Sequence, residues 1–189
     1  ILAGSTVTCV NLGTINADVS VWPGSAITGF GPCVITGARH AADPFAQTAQ
    51  AALTVAYNQL DNMPCGATLS GDLGGQTLQP GVFCSMSSQG LTGEMFFDAL
   101  GDANATFVVK AASTLTVAGA QVTLLNGAQA KNIYWLVGTS ATIGVSSAMK
   151  GNIIAFTSIT LNDNATLLGR ALARNGAVTL GTNNVIILP

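Results

Sequence analysis

Apolar and polar positions alternate in short runs over the C-terminal half of the chain, and the runs repeat. Thr114-Leu-Thr116-Val, Ser140-Ala-Thr142-Ile, Ser158-Ile-Thr160-Leu and Ala177-Val-Thr179-Leu share one pattern. Alternation with a period of two is the signature of a strand with one buried face. It assigns Leu115, Val117, Ile143, Ile159, Leu161, Val178 and Leu180 to a core and turns the Thr and Ser outward. Thr142 to Thr160 is 18 residues, and Thr160 to Thr179 is 19. The step from Thr116 to Thr142 is 26, one such period plus an eight-residue excursion. So short a period is too small for a helical hairpin but fits one coil of a β-solenoid, with three faces of roughly six residues each. Equivalent residues then stack at ~4.8 Å into ordered ladders. Function is expected on a surface, not in a cleft.

Each repeat continues in the same way. A second strand follows the ladder threonine by about six residues, around Gln121–Leu124, Ala148–Lys150, Asn164–Leu168 and Asn183–Val185. A third is expected at Ile133–Val137, Asn152–Phe156 and Arg170–Ala173. Toward the N-terminus the pattern gives short β segments at Ser5–Thr8, Thr14–Asn16 and Ser25–Thr28, broken by Gly13, Pro23-Gly24 and Gly29. Residues 31–43 show no period and are expected to form a loop or cap. Asp43-Pro44 then opens one helix, with Asp43 as N-cap and Pro44 at the first helical position, running to about Asn62. Phe45, Ala49, Ala52, Leu53, Ala56 and Leu60 form its apolar stripe at 3–4 spacing. That stripe is mostly alanine, which lets the helix lie close along a flat solenoid face.

Composition narrows the function classes. Of 189 residues only 7% are charged, 49% are hydrophobic, and net charge is −2. One domain is expected. A nucleic-acid groove needs clustered Lys and Arg to displace counterions, and the six basic residues are scattered, so no nucleic-acid partner is expected. No apolar run approaches the ~20 residues of a membrane-spanning helix, so no membrane partner is expected either. Polysaccharide-cleaving solenoids need grouped carboxylates with a base or a cation. Eight acidic residues, with only Asp98 and Asp102 close together, argue against an enzyme. Cys9, Cys33, Cys65 and Cys84 lack the close spacing of a zinc site, and His40 is the one histidine. No metal or other cofactor is expected. An even cysteine count in a low-charge chain points to two disulfides and an oxidising, secreted setting. Three pairings are possible; Cys9–Cys33 with Cys65–Cys84 closes the shortest loops. Ile1 stands where an initiator Met would, so the numbering is expected to be that of a processed product.

Several segments together resemble one family. They are Ile1-Leu-Ala-Gly-Ser-Thr-Val-Thr8, Ala56-Tyr57-Asn58, Gly71-Asp72-Leu73-Gly74-Gly75, Thr77-Leu78-Gln79-Pro80-Gly81-Val82 and Leu125-Asn-Gly-Ala-Gln-Ala130. The longest is Gly169-Arg-Ala-Leu-Ala-Arg-Asn-Gly-Ala-Val-Thr-Leu180. In this order they resemble the ice-binding protein family of polar microbes across essentially the whole chain. The resemblance implies a secreted, monomeric antifreeze protein whose partner is the ice crystal surface. It also implies a mostly β fold: a right-handed, discontinuous, triangular β-solenoid with one long helix along a face, the N-terminal coil inserted beside the C-terminal ones. An ice- or surface-adhesion module of a larger extracellular protein is the alternative.

Ice offers no charge and no pocket, so a binder needs a regular, rigid and fairly apolar face. Threonine suits this: its methyl disfavours random hydration, its hydroxyl anchors a water, and its χ1 is stiff. Two faces compete. One is the ladder of Thr114, Thr116, Ser140, Thr142, Ser158, Thr160 and Thr179. The other is the following strand: Gln121, Thr123, Ala148, Asn164, Thr166, Asn183 and Val185, with Thr14, Asn16, Thr68 and Ser70 as N-terminal counterparts. The resemblance favours the second face, through Asp163-Asn-Ala-Thr166 and Gly181-Thr-Asn-Asn184. Threonine is also an ordinary outward residue of any strand. Elsewhere, His40 is expected to be solvated or tied to the helix cap, and Asp72 to support its turn. Arg170 and Arg174 are expected in structural pairs with Asp98, Asp102 or Asp163. Trp22, Tyr134 and Trp135 are expected in packing. Asn104 and Asn164 lie in glycosylation sequons.

Overall fold

The structure is a computed structural model describing residues 1–189. It holds eighteen strands, one helix over Pro44–Asp61 and a single 3-10 turn at Ala130–Asn132. Every strand pairing is parallel; most join positions one repeat apart, and two join the N-terminal strands to C-terminal ones. Successive repeats therefore lie on top of one another, and their strands fall into three strips. Leu115, Val117, Ile143, Ile159, Leu161, Val178 and Leu180 all point inward and are buried, as the alternation requires.

The ladder strip aligns Gln89–Thr92 with Leu115–Ala118, Ala141–Ile143, Ile159–Leu161, Val178–Leu180, Val7–Cys9 and Ile27–Thr28. The second strip stacks Glu94, Gln121, Ala148, Thr166, Val185, Thr14 and Val34 in one outward column. The third runs through Gly81–Ser85, Phe107–Ala111, Ile133–Val137, Asn152–Ala155 and Arg170–Ala173. It continues into Leu2–Ala3, Val19–Val21 and Arg39–Ala41. Chain order and stacking order differ: the N-terminal strand Thr6–Asn16 lies directly on the C-terminal strand Val178–Ile187. Residues 31–43, expected as a loop or cap, do cap one end of the stack, and they do so with two short strands, Cys33–Ile35 and Arg39–Ala41. Their polarity hides a strand paired on one edge only.

The helix seals the third strip. Asp43 is its N-cap, its Oδ1 accepting from the Ala46 N–H at 2.8 Å, and Pro44 starts it. Leu53, Tyr57 and Leu60 pack on Leu2, Val108, Leu136 and Ile154 in a small core separate from the forty-residue one inside the coils. Gln50, buried, donates to the carbonyls of Ala173 (3.3 Å) and Arg174. Lys110 Nζ reaches the carbonyls of Asp61 (2.6 Å) and Met63 (3.1 Å) at the other end, where a cation suits the helix dipole.

Both disulfides form, as Cys9–Cys33 and Cys65–Cys84. Each ties a terminal coil, which has one neighbour instead of two, to the coil beside it. The expected arginine ion pairs do not form. Arg174 lies over Phe156 and Tyr57, 5.2 and 5.5 Å from their ring centroids, and Arg170 donates to Asn152 Oδ1 at 3.0 Å. No Lys or Arg pairs with a carboxylate; His40 Nδ1 is hydrogen-bonded to Asp43 Oδ2 at 2.8 Å, tying the histidine to the helix cap. No helix is long and apolar enough to cross a membrane.

Candidate functional site

With the helix on the third strip, two strips face solvent. On the ladder strip, Thr116, Thr142, Thr160, Thr179, Thr8 and Thr28 align in one outward column, each a strand spacing from the next. Beside it runs a column of Thr114, Ser140, Ser158, Ala177, Thr6 and Ala26, one residue before each paired inward position. No charged residue interrupts either column between Thr114 and Thr28. From Leu115 to Leu180 the inward neighbours are fully buried aliphatic residues, with Val7 and Cys9 buried and Ile27 half-buried in the end coils, so the outward side chains project from a stiff base.

The hydroxyls of the two columns are used differently. Ser140 Oγ accepts from the Ser158 N–H at 3.3 Å, and Ser158 Oγ accepts from the Ala177 N–H at 3.1 Å. Thr114 donates to Ser88 Oγ at 2.9 Å. These three bind one coil to the next. Thr116, Thr142, Thr160 and Thr179 have no protein partner for their hydroxyls, while Thr8 and Thr28 share one bond of 3.1 Å. The Thr116–Thr179 column thus offers water a row of free donors and acceptors, with methyl groups between them.

The second strip is more mixed. Its columns hold Gln121, Ala148, Thr166, Val185 and Thr14 in one row and Phe96, Thr123, Lys150, Leu168, Ile187 and Asn16 in the other. Thr123 donates to the Glu94 carboxylate at 2.6 Å, which leaves Thr14 and Thr166 as its free threonine hydroxyls in these rows. Lys150 places a charge in its middle, and Leu168 and Ile187 form an aliphatic block.

The candidates proposed from sequence separate in space. Thr14, Asn16, Gln121, Thr123, Ala148, Thr166 and Val185 do share the second strip. Asn164 and Asn183 lie at the corner before it, both with positive φ (60° and 57°), and the Asn183 amide donates to Asn164 Oδ1 at 3.3 Å. Their polar side chains tolerate the left-handed turn the corner demands. Thr68 and Ser70 belong elsewhere: Thr68 pairs with Cys84, at the end of the helix strip, and Thr77, paired with Phe96, takes the position expected of them. All seven ladder residues, Thr114 to Thr179, come together. What sequence reasoning missed is that Thr6, Thr8, Ala26 and Thr28 extend that ladder by two coils. The signal was present, since Thr6-Val-Thr8 and Ala26-Ile-Thr28 repeat the ladder motif, but their neighbours lie at the far end of the chain.

Away from these strips, Asp72 clamps a turn, its Oδ1 accepting from Gly74 N (2.7 Å), Thr92 N (2.9 Å) and Thr92 Oγ1 (2.9 Å). Burial pushes its pKa up, but these three bonds outweigh that and hold it below the usual carboxylate value. No group of three His, Cys, Asp or Glu side chains comes together as a metal site.

Known proteins share this architecture. The family model described as Ice-binding-like matches residues 1–186. The ice-binding protein of Nostoc sp. (strain HG1) is 43% identical over 187 residues, covering 98% of this chain and 70% of that protein. Ice-binding protein 1 of Shewanella frigidimarina (strain NCIMB 400) is 36% identical over 140 residues, 70% of this chain but 16% of that longer protein. The crystal structure of an ice-binding protein from an Antarctic biological consortium superposes with a TM-score of 0.95 at 45% identity, covering 98% of this chain and 86% of that one. With its parallel stacked strands, its single helix and a match over residues 1–186, the chain belongs to the Ice-binding-like family.

Proposed function

We propose that this chain is an ice-binding protein that adsorbs to ice through the ladder strip, lowers the freezing point and slows recrystallisation. The observation that carries the reading is the uncharged column Thr116, Thr142, Thr160, Thr179, Thr8 and Thr28, four of whose hydroxyls are free. Regularly spaced hydroxyls anchor waters, the intervening methyls keep those waters from random hydrogen bonding, and the ordered layer merges with the lattice. Each contact is weak. The stiff backbone and β-branched side chains are already ordered, so adding contacts adds little entropic cost. Low charge helps, because strongly hydrated ions would disrupt the layer.

The fold that serves this function is a right-handed, discontinuous β-solenoid of triangular section, and the protein acts as a secreted monomer, neither enzyme nor nucleic-acid binder. The two disulfides support an oxidising setting. A second reading places ice on the second strip, favoured by the stacked Thr166, Val185 and Thr14. The 16% coverage of the Shewanella relative also fits a module that anchors a longer protein to ice.

Ice crystals grown in the purified protein test the function. Faceted crystals and arrested recrystallisation at micromolar protein are expected, whereas round discs that coarsen as in buffer would overturn the reading.

A further inference from the structure

A groove runs between the helix and the third strip, apart from both exposed strips. Its cavity volume is about 390 Å³, within the ~300–1,000 Å³ of small-molecule sites. Ala49, Ala52 and Ala56 on the helix leave the space, and Ile154, Leu172 and Leu2 form its floor. Lys131 and Arg170 stand at its rim with Tyr134. In a chain with six cations, four have visible structural uses or lie elsewhere: Arg39 covers Phe30, Lys110 caps the helix, Arg174 covers two rings, and Lys150 sits on the second strip. The Lys131 ammonium has no partner within hydrogen-bond distance.

Arg170 is aimed by a buried residue. Asn152, 3% exposed, donates to the carbonyls of Lys131 (3.0 Å) and Ile133 (3.1 Å) and accepts from Arg170 Nη1 (3.0 Å). That bond fixes the guanidinium at the groove mouth, and its other donors meet no carboxylate. A trough lined by alanine and aliphatic side chains, ending in two unneutralised cations, is complementary to one kind of molecule. The geometry points to a free fatty acid, its alkyl chain along the helix flank and its carboxylate between Arg170 and Lys131. Both the planar guanidinium fork and the mobile ammonium suit a carboxylate. The alkyl chain gains from leaving water in proportion to the area it buries. This site is independent of the ice-contacting strip.

Calorimetric titration of the full chain with decanoate, below its micellar range, tests the assignment. Saturable binding of one decanoate per chain is expected, with decanol and decyltrimethylammonium at least roughly tenfold weaker. Arg170→Gln and Lys131→Gln are each expected to weaken decanoate roughly fivefold. Ala52→Met, on the exposed side of the helix, fills the trough and should abolish binding while leaving Tm and ice shaping unchanged. Absence of saturable one-to-one binding, decanol binding as tightly as decanoate, or indifference to Ala52→Met would each overturn the proposal.

Discussion

At the residue scale, the corner between the ladder and second strips sets the sharpest demand. Ser146, Asn164, Asn183 and Leu12 occupy equivalent corners and all have positive φ. Asparagine meets that demand at low cost, but leucine does not. Leu12 has φ of 47° and is half exposed, so it keeps the strain without the compensation of full burial. Leu12→Asn is therefore expected to stabilise the protein by about 1 kcal/mol, read as a higher Tm; a lower Tm would show that Leu12 packing outweighs its backbone strain. Asp72 yields a pH dependence. Its native pKa is lowered, so its contribution is fully present above the unfolded value near ~4 and is lost as pH falls through the native value. Asp72→Asn should lower Tm at neutral pH, where the contribution is present, and flatten the acid limb of the Tm–pH profile, with variant and parent converging at low pH. An unchanged acid limb would place the sensitivity elsewhere.

At the scale of elements, the helix explains the order of the coils. Nine strands line the third strip, from Arg39–Ala41 to Ala67–Thr68. At ~4.8 Å each, its ends are about 38 Å apart. The helix has 18 residues and is about 27 Å long, and residues 62–66 supply the rest. It carries the chain from one end of the stack to the other, so the first coils of the sequence can lie beside the last. Its cap matters accordingly: Asp43→Ala should cost about 1 kcal/mol and lower Tm, and an unchanged Tm would show that packing alone defines the helix start. Gly169 has a different constraint. It lies on Gly151 in the next coil, and a Cβ there would collide with the Gly151 backbone, so Gly169→Ala should be among the most damaging single changes.

Much of this was legible in the sequence because it is local. The helix ends within a residue of its capping signals, the three strips over residues 115–187 follow from period-two alternation, and the cysteines pair across the shortest loops. The joining of the N-terminal coil to the C-terminal ones follows from the family resemblance and not from periodicity, which does not give the register. Thr6-Val-Thr8 and Ala26-Ile-Thr28 carry the ladder motif, but the pairing of Val7–Cys9 with Val178–Leu180 spans most of the chain, outside the 18- and 19-residue steps that align Thr142, Thr160 and Thr179; the short segment at Thr68 has no such motif to set its strip. Asn164 reads as strand but is a turn residue, and Asn183 is a positive-φ corner within the strand Val178–Ile187, because a corner residue and a strand residue differ in φ, not in sequence spacing.

At the scale of the whole molecule, stability and function share one device, the stack. Central coils have a neighbour on each side; end coils do not, and there the disulfides sit. Cys9–Cys33 and Cys65–Cys84 span 24 and 19 residues, each worth about 3 kcal/mol by loop closure. Reduction should expose residues 26–41 and 66–78 to hydrogen exchange first, with the coils between 107 and 173 still protected. Uniform loss of protection would mean that the coils unfold as one unit. The central claim is that ice meets the threonine column, and thermal hysteresis of two single variants tests it most directly. Thr142→Tyr, in the middle of the ladder strip, should lose most of the hysteresis with a Tm close to that of the parent chain, while Thr166→Tyr on the second strip keeps it. Full hysteresis in Thr142→Tyr together with its loss in Thr166→Tyr would contradict the account.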